Sequence, residues 1–175
     1  MNNSIFEKYW EEELSAQMLR IDNTKRLRAY ICSPLSAKTD FGMFNNMRSA
    51  KAYMYYAWKR MNITAIAPHA YLPSILCDRI PQERTLAMDF GMKLLQNSDI
   101  VFVCGSRISE GMKQEIIKAA VNKLYIITFS KDMYTQTQAL VSNCSGNPDF
   151  VKLDTDNEFM SLSDPLLSIE GGGVK

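Results

Sequence analysis

Apolar side chains run without a break from residue 100 to residue 104 (Ile-Val-Phe-Val-Cys), and the run stops at Gly105. A short all-apolar segment closed by a turn residue predicts a strand buried on both faces, as in a parallel sheet. After a polar turn a helical pattern begins, with Ile116, Ala119 and Ala120 within about 80° of Met112 on a wheel. The same alternation recurs along the chain. Strands are predicted at 27–32, 63–67, 124–129 and 150–153, and helices at 45–61, 82–97 and 132–141. In the first of these helices Ala50, Tyr53, Met54, Ala57 and Trp58 are expected to point inward. In the second, the stripes Leu86–Phe90–Leu94 and Ala87–Gly91–Leu95 predict a wide buried face. Strands alternating with helices imply a single-domain α/β fold, a Rossmann- or flavodoxin-like parallel sheet with helices on both faces.

Ahead of that unit, residues 1–22 carry Ile5, Phe6, Tyr9, Trp10, Leu14 and Met18 at three- and four-residue steps, which predicts an N-terminal helical extension. It is expected to pack on the outside of the domain as an ordinary flanking helix or, through its aromatic stripe, against another subunit. The α/β domain is expected to span 27–153, followed by a flexible tail over 154–175 that contains Gly171, Gly172 and Gly173.

Composition narrows the partners. At 175 residues and 46% hydrophobic content the chain can bury one real core. A formal net charge of +1 provides no basic field for duplex nucleic acid, which leaves small molecules or protein surfaces. Cys32, Cys77, Cys104 and Cys144 form no C-x-x-C pair and read as buried thiols, without a metal site, in a reducing, cytoplasmic setting. No apolar run reaches the ~18 residues that a membrane span requires.

Candidate chemistry gathers at the carboxyl ends of the strands. The turn after the 100–104 strand holds Gly105, Ser109, Gly111 and Met112, with Ser109 placed as a helix N-cap. Glu115 falls about 60° from Met112, on the edge of the buried face. It is either a carboxylate held in a ligand pocket or a partly solvated edge residue that pairs with Lys118 or a neighbouring backbone group. The connection after the first strand carries Ser33, Ser36 and Lys38, suited to a sugar or phosphate. His69, the lone histidine, ends the second strand, and the proline-rich 70–81 segment is expected to wall or cover the same edge. Neither a G-x-G-x-x-G nor a G-K-[ST] phosphate loop is present, so nicotinamide cofactors and nucleoside triphosphatase chemistry lose support and no cofactor is expected.

Tyr30-Ile31-Cys32-Ser33-Pro34, Pro68-His69, Ser98-Asp99 and the Ser109-to-Ile116 segment together resemble the nucleoside 2-deoxyribosyltransferase-like superfamily, which includes 2'-deoxynucleoside 5'-monophosphate N-glycosidases. The likeness covers roughly 27–129. It is strongest to an uncharacterised phage and bacterial branch with an acidic-Arg pair, here Glu83-Arg84, and an S-x-G-M-x-x-E-I turn. The resemblance implies that Glu115 is a nucleophile toward C1' of the sugar and that Tyr30 positions it. It also implies that Ser109 contacts the 5' end and that the loop with Ser33, Ser36 and Lys38 closes over the sugar. One position departs: where the superfamily has an aspartate that assists leaving-base protonation, this chain has Gly91. Asp89 is two residues away on another face of the helix, while Arg84 shares the stripe of Gly91 and is a candidate for the pocket wall. The expectation is a nucleoside or nucleotide N-glycosidase or deoxyribosyltransferase, acting as a homodimer or larger assembly. The alternative is a non-catalytic nucleotide-binding or sensing protein that uses the same pocket.

Overall fold

Five strands, all parallel, stand in the order β2-β1-β3-β4-β5. They were obtained from a computed structural model that describes residues 27–144 and 147–155. The strands are β1 (Arg28–Cys32), β2 (Thr64–Ile66), β3 (Ile100–Val103), β4 (Tyr125–Thr128) and β5 (Val151–Leu153). Between them run α1 (Asp40–Met61), α2 (Pro81–Gln96), α3 (Glu110–Val121) and α4 (Lys131–Asn143), with short 3-10 turns at Pro68–Ala70, Leu72–Ser74 and Pro148–Phe150. The fold is therefore the doubly wound α/β type that the alternation predicts.

The side-chain period of two sorts each central strand onto two cores. Ala29 and Ile31 of β1, with Ile100 and Phe102 of β3, pack with Ala50, Tyr53, Tyr56 and Ala57 of α1. Their neighbours Tyr30, Cys32, Val101 and Val103 turn to the other face, where Leu95, Met112, Ile116, Met133 and Val141 come from α2, α3 and α4. Phe102 meets Phe129 edge to face, with centroids 5.5 Å apart.

Chain order reverses between β1 and β3: from β1 the chain winds outward to β2, and from β3 it winds the other way to β4 and β5. At such a switch point the two connections diverge and leave a crevice at the carboxyl ends of the strands. Here the walls are the segments after β1, β2 and β3.

Several expectations need correction. Helix α1 begins at Asp40, five residues before the predicted start, because Thr39 caps it and its Oγ1 accepts the Gly42 N–H at 3.1 Å. Trp58 is 53% exposed and leans on Tyr55 instead of facing inward. In α2 only Gly91 and Leu95 are buried, while Leu86 is 58% and Phe90 43% exposed. Helix α2 meets α3 and the Pro68–Ala70 turn, and its two buried residues face inward, Leu95 into the core beside Tyr30 and Val101 and Gly91 against the Tyr30 hydroxyl. Cys77 is exposed and Cys144 intermediate, so only Cys32 and Cys104 are buried thiols. The predicted N-terminal helix and the tail beyond residue 155 lie outside the described residues. Among the described residues, no helix is long and apolar enough to cross a membrane and no group of three metal-ligating side chains comes together.

Candidate active site

Two local features aim the residues of the crevice. Beyond β3 the chain turns at Gly105, with φ at +102°, a conformation that favours glycine. A Cβ there would lie 2.8 Å from Cδ of Pro34 in the segment after β1, so the two loops cross at contact distance. Helix α3 then starts on Ser109, whose Oγ accepts the Met112 N–H at 3.4 Å, while the Ser109 N–H reaches Sδ of Met112 at 3.4 Å. With the start fixed, Met112 and Ile116 go into the core and Glu115 comes round beside them.

Glu115 does not pair with Lys118. Its Oε1 accepts a hydrogen bond of 2.7 Å from the hydroxyl of Tyr30, on the face of β1 that looks toward α3. Burial pushes the Glu115 carboxyl above its ordinary range, and hydrogen bonds from Tyr30 and Cys32 pull in the opposite sense. Tyr30, almost fully buried, is held well above the usual phenol range, first by burial and then by the Glu115 charge. Cys32 is buried and likewise raised by burial, and its thiol donates to the Met112 carbonyl at 3.9 Å. Sheet periodicity explains why Tyr30 and Cys32 arrive together: they are two apart on one face.

Across the crevice, Ser33 Oγ and His69 Nε2 lie 2.7 Å apart, both buried, at the ends of β1 and β2. Burial lowers the pKa of His69 to about 4, so the imidazole is neutral near pH 7. The third side is helix α2. Gly91 presses so close that a Cβ there would lie 3.2 Å from the Tyr30 hydroxyl and 3.9 Å from Cγ of Pro68. Arg84, two turns earlier on the same stripe, pairs with Asp78 at 3.0 Å.

These groups enclose one pocket, with about 120 Å³ of space that water can enter. Tyr30, Ser33, Ser36, His69, Arg84, Gly91, Ser109, Gly111, Met112 and Glu115 all line it. Three predicted site residues stand apart: Asp89 is exposed on α2, Gly105 lies behind the wall against Pro34, and Lys38 faces an adjoining cavity of about 680 Å³. That second cavity shares Ser36, Leu76, Asp78, Glu83 and Arg84 with the first. The 70–81 segment walls the pocket as expected, through Leu72, Leu76 and Asp78, whereas sequence reasoning missed Leu35, Ala87, Met88, Met92 and the acid Glu83 as lining residues. A signal existed for part of it, since Ala87 and Met88 fall on the helical stripe that joins Arg84 to Gly91.

Chemically, the pocket offers a carboxylate oriented by a phenol, a neutral imidazole bonded to a hydroxyl, and a helix N-terminus. Residues 28–129 match the family described as a domain of unknown function (DUF7768). A solved 2-deoxyribosyltransferase from the psychrotolerant bacterium Bacillus psychrosaccharolyticus is similar over 59% of this chain and 72% of its own, at 15% sequence identity and a TM-score of 0.45. No curated protein matches.

Proposed function

This chain belongs to the family described as a domain of unknown function (DUF7768), and from that starting point we propose that it breaks the N-glycosidic bond of a nucleoside or nucleotide, by hydrolysis or 2'-deoxyribosyl transfer, with Glu115 as nucleophile. The observation that carries the reading is the 2.7 Å bond from Tyr30 to a half-buried Glu115 that lines the pocket. Departure of a base leaves positive charge on C1' and the ring oxygen of the sugar. A carboxylate held within reach stabilises that charge and then traps it as a covalent ester. Burial strips water from Glu115, which strengthens its pull on a developing cation, and Tyr30 fixes one oxygen so that the group need not reorganise. In this reading Ser33, Ser36 and His69, which line the pocket, bind sugar hydroxyls, and Ser109 with the α3 N-terminus takes the 5' end.

A panel of nucleosides and 5'-monophosphates, followed by chromatography of free base, tests this directly. Glu115→Gln is expected to abolish base release while ligand affinity stays within a few-fold, because the amide keeps the shape and loses the nucleophile. Base release by the variant at the wild-type rate would refute the assignment. Gly91 favours a second reading, a nucleotide-binding or sensing protein, since it brings no acid toward a departing base. Tight nucleotide binding with no base released by the wild type would select that reading.

A further inference from the structure

A neutral base leaves a sugar as an anion unless a proton reaches it in the same step, so a pocket that cleaves ordinary nucleosides requires an acid beside the base. The ionisable side chains lining this pocket are otherwise engaged. His69 is buried against Ser33 and carries no proton it can release as an acid near pH 7. The Tyr30 proton is committed to Glu115, and burial holds it there. Asp78 pairs with Arg84, and Glu83 accepts the backbone N–H of Cys77. On the α2 side, Gly91 has no side chain, and the place where one would start already touches the Tyr30 hydroxyl.

The charge of the lining points the same way. Asp78, Glu83 and Glu115 face it against Arg84 alone, a formal excess of two negative charges. Much of the remaining wall is apolar, from Leu72, Leu76, Ala87, Met88 and Met92. A positively charged ligand gains from such a lining.

We propose that the substrate of this site is a cationic N-glycoside, whose heteroaromatic base carries a positive charge while bound to the sugar and departs as a neutral molecule. Pyridinium glycosides and N7-alkylated purine nucleosides share that chemistry. The proposal rests on the glycosidase reading above and gives it a substrate class. In the first step the C1'–N bond breaks, its electron pair goes to the ring nitrogen and cancels the positive charge, and a Glu115 oxygen bonds to C1'. A carboxylate and a cation become a neutral ester and a neutral base. Water then adds to C1', Glu115 leaves as the carboxylate, and the water's proton passes to solvent. Mutual cancellation of charge is the kind of step that a dry pocket favours, because the charges lost in the transition state are those that burial penalises. The arriving cation also draws Glu115 toward its ionised form.

The test compares matched substrates on the wild-type chain at neutral pH, with spontaneous cleavage subtracted. These are 7-methylguanosine against guanosine, and 7-methyl-2'-deoxyguanosine against 2'-deoxyguanosine, with nicotinamide riboside as the pyridinium case. The expected result is release of base from the cationic compounds, lost in Glu115→Gln, with kcat/KM about 100-fold or more above the neutral partners. A smaller ratio overturns the proposal and leaves the glycosidase reading standing. Release from none of the five overturns the proposal, and the glycosidase reading falls with it only if the panel of nucleosides and 5'-monophosphates is silent as well.

Discussion

Burial holds His69 neutral down to about pH 4, whereas in the unfolded chain an imidazole takes up its proton near 6.5. The unfolded state therefore binds the extra proton between those values, and the stability that neutral His69 contributes is complete above about 6.5 and lost as pH falls to about 4. The loss is of order 3 kcal/mol at most. Glu115 has the opposite sign: its raised carboxyl costs stability while ionised, and acidification relieves that cost. A wild-type curve mixes the two, so the measurement is a difference. Urea unfolding of wild type and His69→Gln between pH 7 and pH 4 should show the wild type losing ground to the variant by up to about 3 kcal/mol. A difference that does not change with pH would mean that His69 titrates normally in the folded protein. The neutral imidazole was not legible in the sequence, because nothing in Pro68-His69 reveals that Ser33, 36 residues away, covers Nε2.

At the scale of elements, the crossing of the β1 and β3 connections sets the geometry of the crevice. Gly105 combines a φ of +102° with Pro34 at 2.8 Å from the position of a Cβ, and neither strain has a flexible side chain to absorb it. Gly105→Ala should cost about 1–3 kcal/mol in urea unfolding and should weaken ligand binding, since it separates the loops bearing Ser33 and Ser109. Unchanged stability would show that the loops yield at no cost. Capping was legible for α3, where Ser109 precedes the apolar period, and hidden for α1. There Thr39 is followed by Phe41, Gly42 and Phe44, of which both phenylalanines are exposed and the glycine leaves no room for a side chain, since a Cβ on it would lie 2.8 Å from Cβ of Ala37. Glycine and outward-facing aromatics gave the first turn the look of a loop.

Taken as a whole molecule, the chain leaves large apolar side chains on the outer surfaces of α1 and α2, among them Phe44, Tyr55, Trp58, Leu86 and Phe90. Exposed apolar faces of this kind, on a chain that also carries Phe6, Tyr9 and Trp10 in its sequence, lead to the expectation of two or more copies. Light scattering is expected to return a mass of twice 19.9 kDa or more, and a monomer mass at working concentration would count against it. Sequence alone determined the five strands, the parallel sheet and the strand-to-helix turn with Glu115. Unbroken apolar runs and a 3.6-residue period are local signals that burial imposes on any chain making these elements. Tertiary structure decided which groups meet. Tyr30 reaches Glu115 across 85 residues only because β1 lies beside β3, and α2 touches that site through Gly91 while Leu86 and Phe90 stay exposed. The acids Asp78 and Glu83 join the pocket through the folded path of 70–84. Such meetings depend on strand order and layer, and a residue's own neighbourhood in sequence records neither.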